Sequence, residues 1–278
     1  MRLAVLVLLL TTGCVERLIT EQDSDGGQSG SQDGGEDGES SGDESSGAVD
    51  ERPPPTPPVL REAIYVNSGD TLFSFDPVSL TLAQLGRFTF DDGGAASVTD
   101  IAIDRHGLLY ALSAGMLYVC DPVSVVCTPR GPSSANSAGF AEFGALDPED
   151  DVLVLVEGNE VVQVRVHEGG TETTVAGTLQ GFSSSGDVMP FGGSTMLLSS
   201  TSSVGDQLVA FDAATAEVLG PPIATLPLLS YGLAGFAGQV WVFTDLGEIL
   251  RVDGDGGVQA MTRVDVRLWG AATHPDSR

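Results

Sequence analysis

A short β-rich run returns along this chain at intervals of 45, 43, 44 and 44 residues, counted between Tyr65, Tyr110, Leu153, Leu197 and Trp241. The runs are Ile64-Tyr65-Val66, Leu109-Tyr110-Ala111, Leu153-Val154-Leu155, Met196-Leu197-Leu198 and Val240-Trp241-Val242. A period this regular marks a repeat architecture, in which each unit buries its apolar face on the next. It excludes a fold with one idiosyncratic core. It also sets the question of how the two ends of the array are finished.

Other elements recur in phase. A strand followed by an Asp turn stands at Phe73-Ser74-Phe75-Asp76-Pro77, Tyr118-Val119-Cys120-Asp121-Pro122 and Val209-Ala210-Phe211-Asp212-Ala213. Weaker copies are Val164-Arg165-Val166-His167 and Leu250-Arg251-Val252-Asp253. Before most anchors lies a strand of small residues, such as Ile101-Ala102-Ile103 or Leu233-Ala234-Gly235. Helical periodicity is missing from Val59 onward, so the expectation is all-β. Each unit reads as four short antiparallel strands, the content of a propeller blade. The first unit lacks the small strand before Tyr65, and Leu268-Trp269-Gly270-Ala271-Ala272-Thr273 is such a strand with no unit after it. A five-bladed β-propeller over residues 59–278, closed by a C-terminal strand, accounts for both. A pair of β-sandwiches or a solenoid is the alternative. The Asp-Pro-x-Ser turns and Leu-Tyr-x-Leu runs resemble those of bacterial extracytoplasmic propellers of the YVTN and NHL type.

The N-terminus is of another kind. Arg2 is followed by an apolar run from Leu3 to Leu10, which as a helix rises only ~12 Å against a bilayer core of ~30 Å. That is the layout of a cleaved secretory signal and not of a transmembrane anchor. Leu10-Thr11-Thr12-Gly13-Cys14 resembles the lipobox of bacterial lipoproteins, with Thr11 standing where that family favours Leu. The resemblance implies a signal peptide over residues 1–13, lipidation at Cys14 and an outer-membrane lipoprotein of the bacterial cell envelope, periplasmic or surface-exposed. Residues 14–58 then form a tether. Its acidic Gly/Ser/Asp/Glu stretch has almost nothing apolar to bury and is expected to be disordered, and Pro53-Pro54-Pro55-Thr56-Pro57-Pro58 is expected to be a stiff polyproline end.

The 278 residues carry 39 acidic and 12 basic side chains, for a formal net charge of −27. Such a surface repels phosphate backbones, which excludes nucleic acid as a partner. Cys120 and Cys127 flank a tight turn, where facing strands bring Cβ atoms within ~5 Å, near disulfide reach. A disulfide is expected between them in an oxidising compartment; two free thiols or a metal pair are the alternatives.

Motifs for chemistry are sparse. His106, His167 and His274 have no metal-ligand spacing, no Gly-x-Ser-x-Gly elbow is present, and Asp253-Gly254-Asp255-Gly256-Gly257 opens no helix. Asp147-Pro148-Glu149-Asp150-Asp151 reads as a solvated acidic turn. The innermost strands are expected to carry Ala, Gly, Ile and Leu, with carboxylates at the turns, which argues against the paired acids of a five-bladed glycoside hydrolase. No catalytic residue, metal or cofactor is assigned. The function expected is a binding or scaffolding module held to the membrane by its lipid, with an envelope protein or glycan as partner; a secreted or surface glycoside hydrolase is the alternative.

Overall fold

A computed structural model describes residues 62–94, 97–203 and 205–277. Cys14, the signal segment and the tether lie outside the described residues. The strands are β1 (Ile64–Asn67), β2 (Thr71–Asp76) and β3 (Thr81–Arg87) in the first unit. A short β4 (Thr89–Phe90) precedes β5 (Val98–Ile103), β6 (Leu109–Ser113), β7 (Met116–Cys120) and β8 (Val126–Pro132). The third unit holds β9 (Ser137–Phe140), β10 (Leu153–Glu157), β11 (Glu160–His167) and β12 (Gly170–Thr178). Then come β13 (Ser184–Gly192), β14 (Thr195–Ser200), β15 (Asp206–Asp212) and β16 (Ala224–Leu226). The last are β17 (Ser230–Phe236), β18 (Gln239–Thr244), β19 (Glu248–Val252), β20 (Val258–Arg263) and β21 (Gly270–Thr273).

Four of the five sheets have four strands each, in the orders β21-β1-β2-β3, β12-β11-β10-β9, β13-β14-β15-β16 and β17-β18-β19-β20. Innermost strands lie side by side in a cycle: β5 on β9, β9 on β13, β13 on β17, β17 on β21, and β21 back on β5. The chain is a five-bladed β-propeller. Every 44-residue anchor falls on the second strand of a blade. These strands are covered on both faces, and β1 and β6 are buried throughout, which is why they read as unbroken apolar runs. The outermost strands face water and are correspondingly polar, as in Thr81–Arg87.

Apolar clusters fill the spaces between blades. One joins Tyr65, Leu72, Ile101 and Tyr118. Another joins Ile64, Phe75, Trp241, Phe243 and Leu268 across the closing seam, where Phe75 meets Trp241 and Phe243 edge to face at 5.5 and 5.7 Å between centroids. Small residues on the innermost strands have a steric cause. A Cβ on Gly139 would stand 2.1 Å from the Val188 carbonyl oxygen, and one on Gly186 would stand 2.5 Å from the Tyr231 backbone.

Closure is as expected from the sequence. In β21, Thr273, Ala272 and Ala271 pair antiparallel with Ile64, Tyr65 and Val66. The blade turns repeat one device: the carboxylates of Asp76, Asp121 and Asp212 each accept two backbone N–H bonds from residues two and three positions on. One strand was not legible. β4 adds in parallel to the outer edge of the second blade, on β8, and lays Phe90 against Tyr118 with 4.5 Å between ring centroids.

Cys120 and Cys127 sit directly opposite each other in β7 and β8 and form a disulfide. The bond closes a loop of eight residues, worth about 2.5 kcal/mol by chain entropy. A non-reduced digest should yield the two cysteine peptides as one linked mass, and reduction should lower the denaturation midpoint accordingly. Two alkylatable thiols in fresh, unreduced protein would contradict this.

Candidate functional site

The innermost strand of each blade has one edge that finds no strand partner, so its N–H groups point at the axis and need acceptors. Two aspartates meet that need. This corrects the expectation that the innermost strands carry no acids. Asp100 on β5 and Asp187 on β13 are both fully buried. Asp100 accepts from the amides of Ile101 (2.8 Å) and, on β9, Ala138 (2.7 Å). Asp187 accepts from Leu233 on β17 (2.7 Å) and Ala271 on β21 (2.9 Å). The two carboxyls are near enough for each to shift the other's titration, and the second Asp187 oxygen, Oδ1, is buried without a hydrogen-bond partner among the described residues. Asp100 thus ties β5 to β9, and Asp187, itself on β13, ties β17 to β21.

Burial pushes both aspartates well above the ordinary carboxylate range, and for Asp100 the neighbouring charge of Asp187 adds to it. Catalysis on a glycosidic bond needs carboxyls ~5–9 Å apart with water or sugar between them. These are fully buried with oxygens taken up by backbone amides, and their geometry is that of a structural clamp.

Beyond the pair the axis is filled. A void of about 20 Å³, bounded by residues such as Ile101, Val188, Leu233 and Ala271, has room for about one water. A wider space opens where the innermost strands end. There a cavity of about 400 Å³ is lined by Phe140, Phe143, Met189, Phe191 and Phe236, with Arg105, Glu142, Asp151 and Gln239 among the polar residues. Phe143 and Phe191 stand 48% and 59% exposed at its rim. Exposed aromatic side chains beside a cavity make this the candidate site.

The polar groups are arranged in pairs. The Arg105 guanidinium lies 3.6 Å from the Phe143 ring centroid and 3.1 Å from an Asp151 carboxylate oxygen. Glu142 accepts the Gly193 N–H at 2.6 Å. A neighbouring cavity of about 240 Å³ holds Asp104, His106, Tyr110, Asp150, Arg165 and His167 among its lining. Burial raises Asp104 above its usual range, and its carboxylate accepts the amides of His106 and Leu108 at 2.9 Å each. Burial also raises Asp151, against the pull of Arg105.

The acidic segment 147–151 is thus more than a solvated turn. Asp147 holds Arg165 at 2.7 Å while Asp151 holds Arg105, so both ends of the loop are pinned. His106 and His167 come together at the smaller cavity, whereas His274 is buried beyond the end of β21. Among the described residues no group of three or more His, Cys, Asp or Glu side chains is placed to hold a metal ion. The disulfide lies at the blade rim, away from the axis.

No protein-family model matches the chain, and no curated protein does. Solved structures do match it. The chain is similar to one in a crystal structure of a nidogen/laminin complex. That similarity has a TM-score of 0.47 at 10% identity and covers 79% of this chain and 83% of the other. The propeller assignment rests on the strand order itself.

Proposed function

We propose that this protein is a lipoprotein of the bacterial cell envelope, anchored in the outer membrane through Cys14, whose propeller binds or scaffolds an envelope partner at the aromatic mouth. The observation that carries the reading is the cavity at the strand ends, with Phe143 and Phe191 exposed beside it. The cavity opens where residues of several blades meet at the ends of the innermost strands, which gives a ligand room there. The walls join Phe, Met and Pro to a few polar groups, a lining that suits a partner with an apolar group. The lipobox-like Leu10-Thr11-Thr12-Gly13-Cys14 and the acidic tether after it support the anchor.

Two measurements test the parts separately. Metabolic labelling with a fatty acid should mark wild type and leave Cys14→Ser unlabelled; equal labelling of both ends the lipoprotein reading. For the mouth, a photo-crosslinking residue is placed at Phe191 and, as a control, at Val123, a 68% exposed residue in the outer turn between β7 and β8. Intact cells should give a discrete adduct from the first position and not the second. Equal adducts from both positions, or none from Phe191, would overturn the assignment of the mouth.

A further inference from the structure

The mouth already contains one solved recognition problem. Arg105 lies flat against Phe143 with its charge balanced by Asp151, an aromatic ring and a carboxylate jointly holding a guanidinium. On the neighbouring blade the same two ingredients recur without the cation. Phe191 stands exposed at the end of β13, and Glu142 reaches across from the loop after β9 to the amide of Gly193, two residues beyond Phe191. Only one Glu142 oxygen is used in that bond. Among the described residues no arginine lies over the Phe191 ring or pairs with Glu142.

We infer that Phe191 and Glu142 form a receptor for an arginine or lysine side chain of a partner peptide, whose adjoining apolar residue enters the well lined by Phe140, Met189 and Phe236. This rests on the assignment of the mouth as the binding site and adds the chemistry of what it takes. Charge complementarity selects the occupant. Arg105 and Arg165, the arginines lining the two cavities, are spent on Asp151 and Asp147. Glu142, Glu149 and Asp150 are exposed and have no ion-pair partner among the described residues. The face therefore attracts a cationic segment and repels an acidic one, and it repels an anionic lipid surface for the same reason. The apolar well rewards a cation joined to a hydrophobic neighbour over a bare polycation.

The test uses the full-length protein and a short fluorescein-labelled peptide alternating Arg with Leu, read by fluorescence anisotropy. Binding should saturate and weaken as salt is raised. Phe191→Ala and Glu142→Gln should each weaken it about ten-fold or more, with thermal unfolding unchanged because both side chains are exposed. Replacing every Arg of the peptide by Glu should abolish binding, and replacing every Leu by Gly should weaken it. Vesicles of anionic or zwitterionic phospholipid should not bind the protein once its lipid anchor is removed by Cys14→Ser. Wild-type affinity in either variant would mean that the peptide is held by diffuse charge and would overturn the receptor, as would equal binding of the acidic peptide or preferential binding of vesicles. If cells still give the Phe191 adduct while the cationic peptide is ignored, the ligand chemistry is wrong and the mouth stands. If neither appears, both fall.

Discussion

Deleting Arg267 to Arg278 should abolish cooperative thermal unfolding, whereas deleting residues 16–52 should leave the melting curve nearly unchanged. The first deletion removes β21 and with it every backbone partner of β1 on its inner side. It also removes the amide of Ala271, one of the two that Asp187 accepts. The approach to β21 is clamped as well: the Arg267 guanidinium meets the Asp245 carboxylate at 2.6 and 2.7 Å, and the Trp269 indole N–H donates to the same group at 2.7 Å. Leu268 is fully buried in the seam with Ile64, Phe75 and Phe243, and Leu268→Ala alone should cost about 2–4 kcal/mol. The deleted N-terminal stretch is Gly, Ser, Asp and Glu with almost nothing apolar to bury. A C-terminal deletion that melts like wild type would mean that the ring does not depend on its closing strand.

The acid pair at the axis predicts the second large effect. Asp187→Ala removes the acceptor of two buried amides on β17 and β21. Orphaned buried donors cost ~1–3 kcal/mol each, so a loss of about 3 kcal/mol or more is expected. Asp187→Asn is the informative companion, because its side-chain oxygen still accepts from Leu233 and Ala271. Both aspartates titrate well above the ordinary carboxylate range in the folded state, so the folded protein holds a proton that the unfolded chain releases. The stability this gives is fully present below the ordinary carboxylate pKa and is lost as pH rises through the folded-state value. The blade-turn aspartates act in the opposite sense. Asp76, Asp121 and Asp212 are lowered, first by the Ser79 hydroxyl, the Ser124 amide and the Ser194 hydroxyl respectively, and their contribution fades as pH falls through their depressed values. Denaturant titrations across pH should show wild type weakening as pH rises above the ordinary carboxylate range, with a shallower slope in Asp187→Asn, which keeps only Asp100 to titrate. Identical slopes would mean that Asp187 holds no proton.

The ring was legible because its signals are periodic: Tyr65, Tyr110, Leu153, Leu197 and Trp241 keep one phase, and the spare strand near the end matched a missing one near Tyr65. The acid pair was not. Asp100 precedes Ile101-Ala102-Ile103 and Asp187 follows Ser184-Ser185-Gly186, so each reads locally as a turn residue. What would have found them is a requirement of the fold: inner-edge amides facing the axis need acceptors, and these were the acids beside small-residue strands. The mouth was hidden for a different reason. Phe143, Phe191 and Phe236 come from three blades, and only their shared position near the ends of successive innermost strands unites them. β4 left no period to detect.

The closing seam also dictates an order of events. Hairpins such as β6-β7 and β18-β19 join neighbours in sequence and can form as soon as they exist, while the β1–β21 pairing joins residues from the two ends of the domain and must wait for the last of them. Until then the blades form an open arc, with the inner edge of β1 bare and Asp187 short of one donor. The cysteine bridge lies within one hairpin, so oxidation can precede closure without trapping a mispaired ring. The domain thus acquires its covalent bond early and its rigidity last.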